Sequence, residues 1–463
     1  MRIADNIKIF MVLSICTVFM VCAPAFAIKN SKADVQITEP QNVVYVTKIN
    51  FDDVLKKAKE HSYDLKISDY NVLISQQGIR GARSEYFPKL NFIAGTEYTK
   101  NYRDIRDTTV MSIGDAFINP YTRYQSILGI TVAYNLFDFG IRGENLKLAK
   151  EDAEIKKLEN EQKFQELSLT LLDTYTKILI TTKEIELNKE ISALEESNLE
   201  LIERLYNAKE VSKTDLNDIK AKVSQTKSTI IELKSVRQES LNWLTFYTGE
   251  QYDSENLKVD DLKKSNFDVL SFKDYSKSII WRIHERNIAK KEHELNVVKR
   301  TNYPKINVYG RYYLYGSNHN SYRESLSGIE PSNFSVGASL SAPLFDGFKN
   351  RANVQKTVLE LKQMYVERDK AIAQLMTRLA NMRSNLIYLE EQLDENNKAI
   401  EELTDKEKST SRLLAKKIIS PIEANNAKIE TLNQKLEIEK NSNTHTAITR
   451  GIEILSEHND EAK

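Results

Sequence analysis

After Gly143 neither glycine nor proline occurs until Gly249, and after Gly347 the only interruption before Gly451 is Pro421. Loops between packed elements draw on turn residues, so two runs of about a hundred residues without them read as two antiparallel helix pairs. The expected helices cover about 140–207 and 214–248, then about 347–415 and 421–449. Within the first run Phe164, Leu167, Leu171, Tyr175 and Ile178 recur at spacings of three and four, and Ile191 with Leu194 continues the pattern. Lys and Glu occupy much of the remaining surface, as a solvated face with i,i+4 pairing requires. A helix of roughly 65 residues is about 100 Å long, a length that suits a rod or conduit.

Each run needs a reversal. In the first it falls at Asn207-Ala208-Lys209-Glu210-Val211-Ser212-Lys213, with Ser212 or Thr214 as helix cap and Asp215 and Asp218 near the positive end of the returning helix. In the second it falls at Ala415-Lys416-Lys417-Ile418-Ile419-Ser420-Pro421. There Ser420 as N-cap, Pro421 at the first helical position and Glu423 at the third form a capping box.

Before each run the period changes from helical to alternating. Leu90, Phe92, Ala94, Thr96 and Tyr98 take one side of an expected strand at 89–99, and Leu128, Ile130, Val132 and Tyr134 share a face of a second at 125–136. The second half repeats this at 305–315 and 333–344, where Phe334, Val336, Ala338 and Leu340 oppose Ser335, Gly337, Ser339 and Ser341. Strands of about 11 residues cross an outer-membrane hydrocarbon layer at a tilt, and Tyr309, Tyr312, Tyr313 and Tyr315 suit a lipid boundary. Four strands do not close a membrane barrel, and open edges in lipid leave backbone groups unpaired. A membrane form therefore requires several chains.

The two halves are copies. Tyr86-Phe87-Pro88-Lys89-Leu90-Asn91 returns as Asn302-Tyr303-Pro304-Lys305-Ile306-Asn307, with the prolines 216 apart, while Leu136-Phe137-Asp138 returns as Leu344-Phe345-Asp346 and Ser212 as Ser420, both 208 apart. The change of offset falls between the strands, where a shorter loop is easily accommodated. Pro88 and Pro304 mark passage from helix to strand. Phe137 and Phe345 place aromatics at the return to helix, with Asp138 and Asp346 available as caps.

Residues 1–27 carry Arg2 and Lys8, an apolar run from Ile9 to Val21, and Ala25-Phe26-Ala27, the pattern of a cleavable signal peptide. Both cysteines, Cys16 and Cys22, lie within it, and bulky Val21 makes Cys22 a poor lipidation site. The exported chain then has no disulfide, thiol nucleophile or cysteine metal site. After a 28–49 extension, the first repeat spans 50–249, a linker 250–270, the second repeat 271–450, and a tail 451–463. The 66 basic and 66 acidic residues cancel, which argues against nucleic acid as a partner.

The duplicated order of proline entries, leucine-phenylalanine-aspartate exits and capped turns, on two long-helix units, resembles the TolC-like outer-membrane efflux protein family. These proteins are outer-membrane components of tripartite efflux and type I secretion systems. The resemblance covers nearly the whole chain, from about Phe51 to Ile452. It implies an α+β fold in which a homotrimer builds a twelve-stranded outer-membrane barrel continuous with a periplasmic helical tunnel. Export would then be passive, for small molecules or proteins, with a periplasmic adaptor and an energised ABC or proton-driven inner-membrane transporter as partners. Onto the family's constricted tip map Asp215, Asp218 and Glu423, with Lys209, Lys213, Lys416 and Lys417 as compensating cations or adaptor contacts. The family commonly has a glycine in each turn, where this chain offers Lys209 and Lys417.

No catalytic or cofactor constellation competes. The six histidines are scattered, and no P-loop, dinucleotide fingerprint or nucleophile elbow occurs. The competing reading is a soluble periplasmic coiled-coil structural or interaction protein carrying β-hairpins.

Overall fold

The computed structural model describes residues 45–100, 111–113, 116–118, 124–264, 275 and 278–456. The signal peptide expected at 1–27, most of the extension, most of the segment between the first two expected strands, part of the linker and the end of the tail lie outside the described residues.

In chain order the helices are α1 (Phe51–His61), α2 (Tyr63–Ser84), α3 (Ile141–Asn207), α4 (Lys213–Thr248), α5 (Ile279–Arg300), α6 (Tyr322–Ser327), α7 (Lys349–Ala415) and α8 (Pro421–Ser456). Helices α3 and α7 both have 67 residues, α4 and α8 both have 36, and α2 and α5 both have 22. The sequence repeat is thus a repeat of the fold. At about 1.5 Å per residue, a 36-residue return covers only the turn-proximal half of its 67-residue partner. The expected two simple pairs are therefore incomplete, because α2 and α5 cover the strand-proximal half. Lys220–Glu203 and Lys227–Glu196 (3.0 and 2.6 Å) join α4 to the far part of α3. Asn160–Asp69 (2.9 Å) joins α3 to α2, and Arg282–Glu161 (3.3 Å) and Lys290–Asp152 (2.5 Å) join α5 to the same stretch.

The core lies midway along α3, where Leu171, Tyr175, Ile178 and Leu179 are fully buried against Leu241 and Leu244 of α4 and Phe51, Val54 and Ala58 of α1. The periodic apolar residues read from sequence supply this core because 3.6-residue periodicity places them on one face. Two segments set aside as extension and linker close over it. With β1 at Tyr45–Val46, strand β2 (Lys48–Ile49) pairs in parallel with β8 (Lys258–Val259), which follows β7 (Gln251–Tyr252). The Tyr175 hydroxyl donates within this lid, 2.6 Å from the Asp260 carbonyl and 3.2 Å from that of Ile49. Burial, with the nearby carboxylates of Asp260, Asp261 and Asp52, pushes the phenol well above its ordinary range.

The remaining strands are β3 (Lys89–Tyr98), β4 (Met111–Ile113), β5 (Ala116–Ile118), β6 (Tyr124–Phe137), β9 (Lys305–Asn318) and β10 (Glu330–Ser341). Four of them form one antiparallel sheet in the order β10-β9-β6-β3. Strand β9 runs past 315 because Asn318 still pairs with Tyr124. Strand β10 occupies 330–341 rather than 333–344: its register ends at Ser341 opposite Lys305, and Pro343 has no N–H for a ladder. Helix α8 likewise continues through Gly451 to Ser456 instead of stopping near 449. That glycine is buried, and a Cβ there would sit 3.3 Å from the Met382 methyl, so it marks close packing of α7 on α8.

Candidate functional site

Three regions carry the sequence-derived site residues: the two faces of the sheet, the junctions below it and the turns at the far end.

Register decides the faces of the sheet. Leu90, Phe92 and Ala94 of β3 pair with Val132, Ile130 and Leu128 of β6, which pair in turn with Gly310, Tyr312 and Leu314 of β9. Tyr312, Gly310, Val308 and Ile306 then meet Phe334, Val336, Ala338 and Leu340 of β10. Directly paired residues share a face, so the apolar sides recognised strand by strand merge into one continuous apolar surface. The opposite face carries Asn91, Thr131, Arg311, Ser335 and Ser339. Phe334, Val336 and Leu340 are 74%, 73% and 70% exposed, an apolar patch that water does not favour and lipid does. Aromatic rings bound it at both ends: Tyr98, Tyr124 and Tyr322 beyond the outer limit, and Phe137, Phe139 and Tyr303 where strands meet helices. Strands β3 and β10 have no partner on their outer sides among the described residues.

At the junctions Asp138 accepts from the backbone N–H of Gly140 and Arg142 (3.1 Å each) and from the Arg142 guanidinium (3.0 Å), and Asp346 accepts from the Asn350 N–H (2.9 Å) and the Asn302 amide (2.8 Å). Both aspartates thus hold the first turn of a 67-residue helix. Two successive left-handed residues lead into each helix, Phe139-Gly140 and Gly347-Phe348. Each copy therefore relieves one position with glycine and tolerates phenylalanine at the other. Pro88 and Pro304 lie between helix and strand, directly before β3 and β9.

At the far end the two turns have the same construction. The N–H of Lys209 bonds the Tyr206 carbonyl and that of Glu210 the Leu205 carbonyl (2.9 Å each). Lys417 and Ile418 repeat this with Leu414 and Leu413 (2.8 and 3.0 Å). Each is a Schellman closure, whose pivot favours glycine because it is left-handed. Here the pivots are Lys209 and Lys417, at φ 63° and 59°. Lys416 is the preceding C-cap, and Lys213 opens α4.

Ser212, not Thr214, caps the returning helix. Its hydroxyl accepts the Asp215 N–H at 3.2 Å while the Asp215 carboxylate takes the Ser212 N–H at 3.0 Å. The Ser212 hydroxyl also donates to that carboxylate at 2.8 Å. These bonds, the side-chain one foremost, hold the Asp215 carboxyl below its usual range. Ser420 and Glu423 form the equivalent box at 3.3 and 3.2 Å. Asp215 and Glu423 thus point back onto their own helix starts, while Asp218 lies exposed one turn on.

Two polar links escaped sequence reading. Close to the turns, Asn198 of α3 is 1% exposed and bonds Asn425 and Asn426 of α8 at 2.8 and 3.1 Å, tying one helix pair to the other. Near the junction, buried Glu144 of α3 meets His293 Nδ1 of α5 at 2.7 Å, Lys147 at 3.1 Å and Arg300 at 3.6 Å. Burial pushes its carboxyl up, but the hydrogen bonds from His293 and Lys147 outweigh that and hold it below its ordinary value. Among the described residues no group of three or more His, Cys, Asp and Glu is placed to hold a metal, and no helix is long and apolar enough to cross a membrane.

The fold is thus an amphipathic sheet whose edges are open among the described residues, standing on helix pairs whose longer members measure about 100 Å. A family profile described as outer membrane efflux protein matches residues 54–250 and 285–445. The chain belongs to that family, the TolC-like outer-membrane channels, and is therefore an outer-membrane export channel and not an enzyme. Among solved structures, the outer membrane protein VceC from Vibrio cholerae has the same fold, with a TM-score of 0.71 at 13% identity over 88% of this chain and 96% of its own. The CmeC outer membrane channel of Campylobacter jejuni aligns with a TM-score of 0.72 at 13% identity over 89% and 87%. A membrane protein from Pseudomonas aeruginosa gives 0.73 at 13% over 90% and 93%. No curated protein sequence matches.

Proposed function

We propose that three copies of the chain join edge to edge, β3 of one to β10 of the next, to close a twelve-stranded barrel whose apolar face meets lipid and whose polar face lines an aqueous duct. The observation that carries this reading is the four-stranded sheet with one continuous apolar face and two edges that have no partner among the described residues. Closure removes the edges that lipid does not tolerate, and a barrel of this strand number leaves room inside for solutes. The long helices extend the duct through the periplasm. Passage is passive, and small molecules or proteins are delivered by an inner-membrane ABC or proton-driven transporter joined through a periplasmic adaptor.

The turns form the constriction. Asp215, Asp218 and Glu423, repeated around a threefold axis, make an acidic ring that favours cations, with Lys209, Lys213, Lys416 and Lys417 moderating it or meeting the adaptor. The capping boxes orient the first and last of these acids, so opening the tip requires their helix starts to move with them. The soluble-scaffold alternative leaves the apolar face in water, which the exposure of Phe334, Val336 and Leu340 argues against.

The test is single-channel recording in a planar bilayer, comparing the parent with an Asp215→Ala, Glu423→Ala double variant. Discrete conductance whose cation selectivity falls in the variant supports both duct and ring. Selectivity unchanged by the substitutions, or by Lys→Gln at the four lysines, removes the gate assignment and leaves the duct.

A further inference from the structure

Helix α6 lies in the connection between β9 and β10, at the end of the sheet remote from the long helices. It folds back onto the sheet instead of projecting away from it. The Ser325 hydroxyl is completely buried, donating to the Gly316 carbonyl at 3.0 Å and sharing a hydroxyl–hydroxyl hydrogen bond with Ser126 Oγ at 2.8 Å. The Tyr322 ring meets that of Tyr124 edge-on at 4.7 Å, and Tyr124 meets Tyr98 at 5.0 Å. Gly316 is required for this approach, since a Cβ there would collide with the Ser325 carbonyl oxygen.

The face that α6 covers follows from the register. Ser126 pairs with Gly316, and two residues along each strand, with no intervening bulge, Leu128 pairs with Leu314. Side chains two apart on a strand share a face. Ser126 and the position where Gly316 would carry a side chain are therefore on the apolar side, and α6 sits on that side, not over the polar face.

Its height follows from the same count. Leu128 and Leu314 end the apolar band, and Ser126 and Gly316 stand about 7 Å further along their strands, between that band and the paired Tyr98 and Tyr124 two residues beyond. Even with its ring against Tyr124, Tyr322 stays 41% exposed, and Leu326 one turn on is 50% exposed. The helix rests on β6 and β9, the two inner strands, so neither open edge lies beneath it.

We infer that α6 is an interfacial anchor, seating Tyr322 and Leu326 in the headgroup–acyl boundary of the outer leaflet just above the apolar band. This rests on the barrel reading above. The occupant is lipid, because the helix continues the apolar face outward and lies away from the edges where a second copy would join. Amphipathic segments bind at this level by burying a few apolar side chains about 5–10 Å deep, and aromatic rings favour it. The anchor would fix how far the barrel rises through the membrane, which the short band alone specifies weakly.

The chain's two tryptophans, Trp243 and Trp281, are in the helices, so a tryptophan added to the sheet end reports separately from them. Leu326→Trp and Phe334→Trp would each be reconstituted in vesicles containing lipids brominated either near the headgroup or deep in the chain, and the added fluorescence compared with the parent's. The expected result is strong quenching of Leu326→Trp by the headgroup-proximal bromines, weaker quenching by the deep ones, and the reverse order for Phe334→Trp. Unquenched Leu326→Trp beside quenched Phe334→Trp would overturn the anchor and leave the barrel. Both unquenched would overturn both. Gly316→Val gives a second reading: displaced α6 reduces quenching of Leu326→Trp without changing that of Phe334→Trp.

Discussion

Glu144 is a buried charge that links α3 to α5 near the junction between sheet and helices, and Glu144→Gln removes that charge with little change of shape. Its side chain is 7% exposed, whereas those of His293, Arg300 and Lys147 are 24%, 32% and 54% exposed. Breaking a fully buried ion pair costs about 3–5 kcal/mol. Three partners able to regain water, and a glutamine that still accepts one hydrogen bond, reduce this to about 2 kcal/mol. Where the contact is lost before the unfolding barrier, that amount speeds unfolding by about 30-fold. The assay is the rate of loss of helical circular dichroism in denaturant, for parent and variant in detergent.

The pH dependence of this site has a definite sign. A carboxyl whose folded pKa lies below its ordinary value stabilises fully above that ordinary value, 4.5 here, and the contribution disappears as pH falls through the lowered folded pKa. The gap between parent and Glu144→Gln should therefore be full at about pH 7 and should narrow as pH falls through the lowered folded value. Equal unfolding rates at neutral pH, or a gap that persists in acid, would refute the argument.

Lys209→Gly and Lys417→Gly, which release left-handed strain at the turn pivots, should each stabilise by up to about 1 kcal/mol, read as a raised denaturation midpoint. Lys→Ala at the same positions should give no such gain. Val336→Lys places a charge near the middle of the apolar band and should cost about 2–4 kcal/mol of membrane stability, whereas Ser335→Lys, on the opposite face, should assemble normally; heat-modifiable gel mobility of membrane extracts separates them. Tyr175→Phe leaves the Asp260 carbonyl without its donor, while the Ile49 carbonyl keeps the Asp260 N–H at 3.0 Å; it should cost about 1–3 kcal/mol, with faster amide exchange at Ile49 and Asp260 than elsewhere.

The long helices were legible because absence of glycine and proline is a local signal, and the turns because capping boxes are spelled in four residues. Even the replacement of turn glycine by lysine was visible, although only the backbone reveals that Lys209 and Lys417 adopt the glycine conformation. Helices α2 and α5 were less plain because Gly78 and Gly81 interrupt one and the other follows directly on the linker. The lid of β2 on β8 joins two-residue strands more than two hundred positions apart, too short to carry any period. Glu144 reads locally as an acid favoured in a first helical turn; its partner His293 comes from the other repeat. Asn198 similarly looks like a solvated residue until α8 is packed on α3. The strand faces were readable one strand at a time, but their merger into one surface needed the register.

The most direct test of the central claim is the number of chains and the conductance of the same preparation. Protein extracted from outer membranes in detergent should have the mass of three chains, and on addition to a planar bilayer it should conduct in discrete steps. A single-chain particle released without detergent, and silent in the bilayer, would contradict the account.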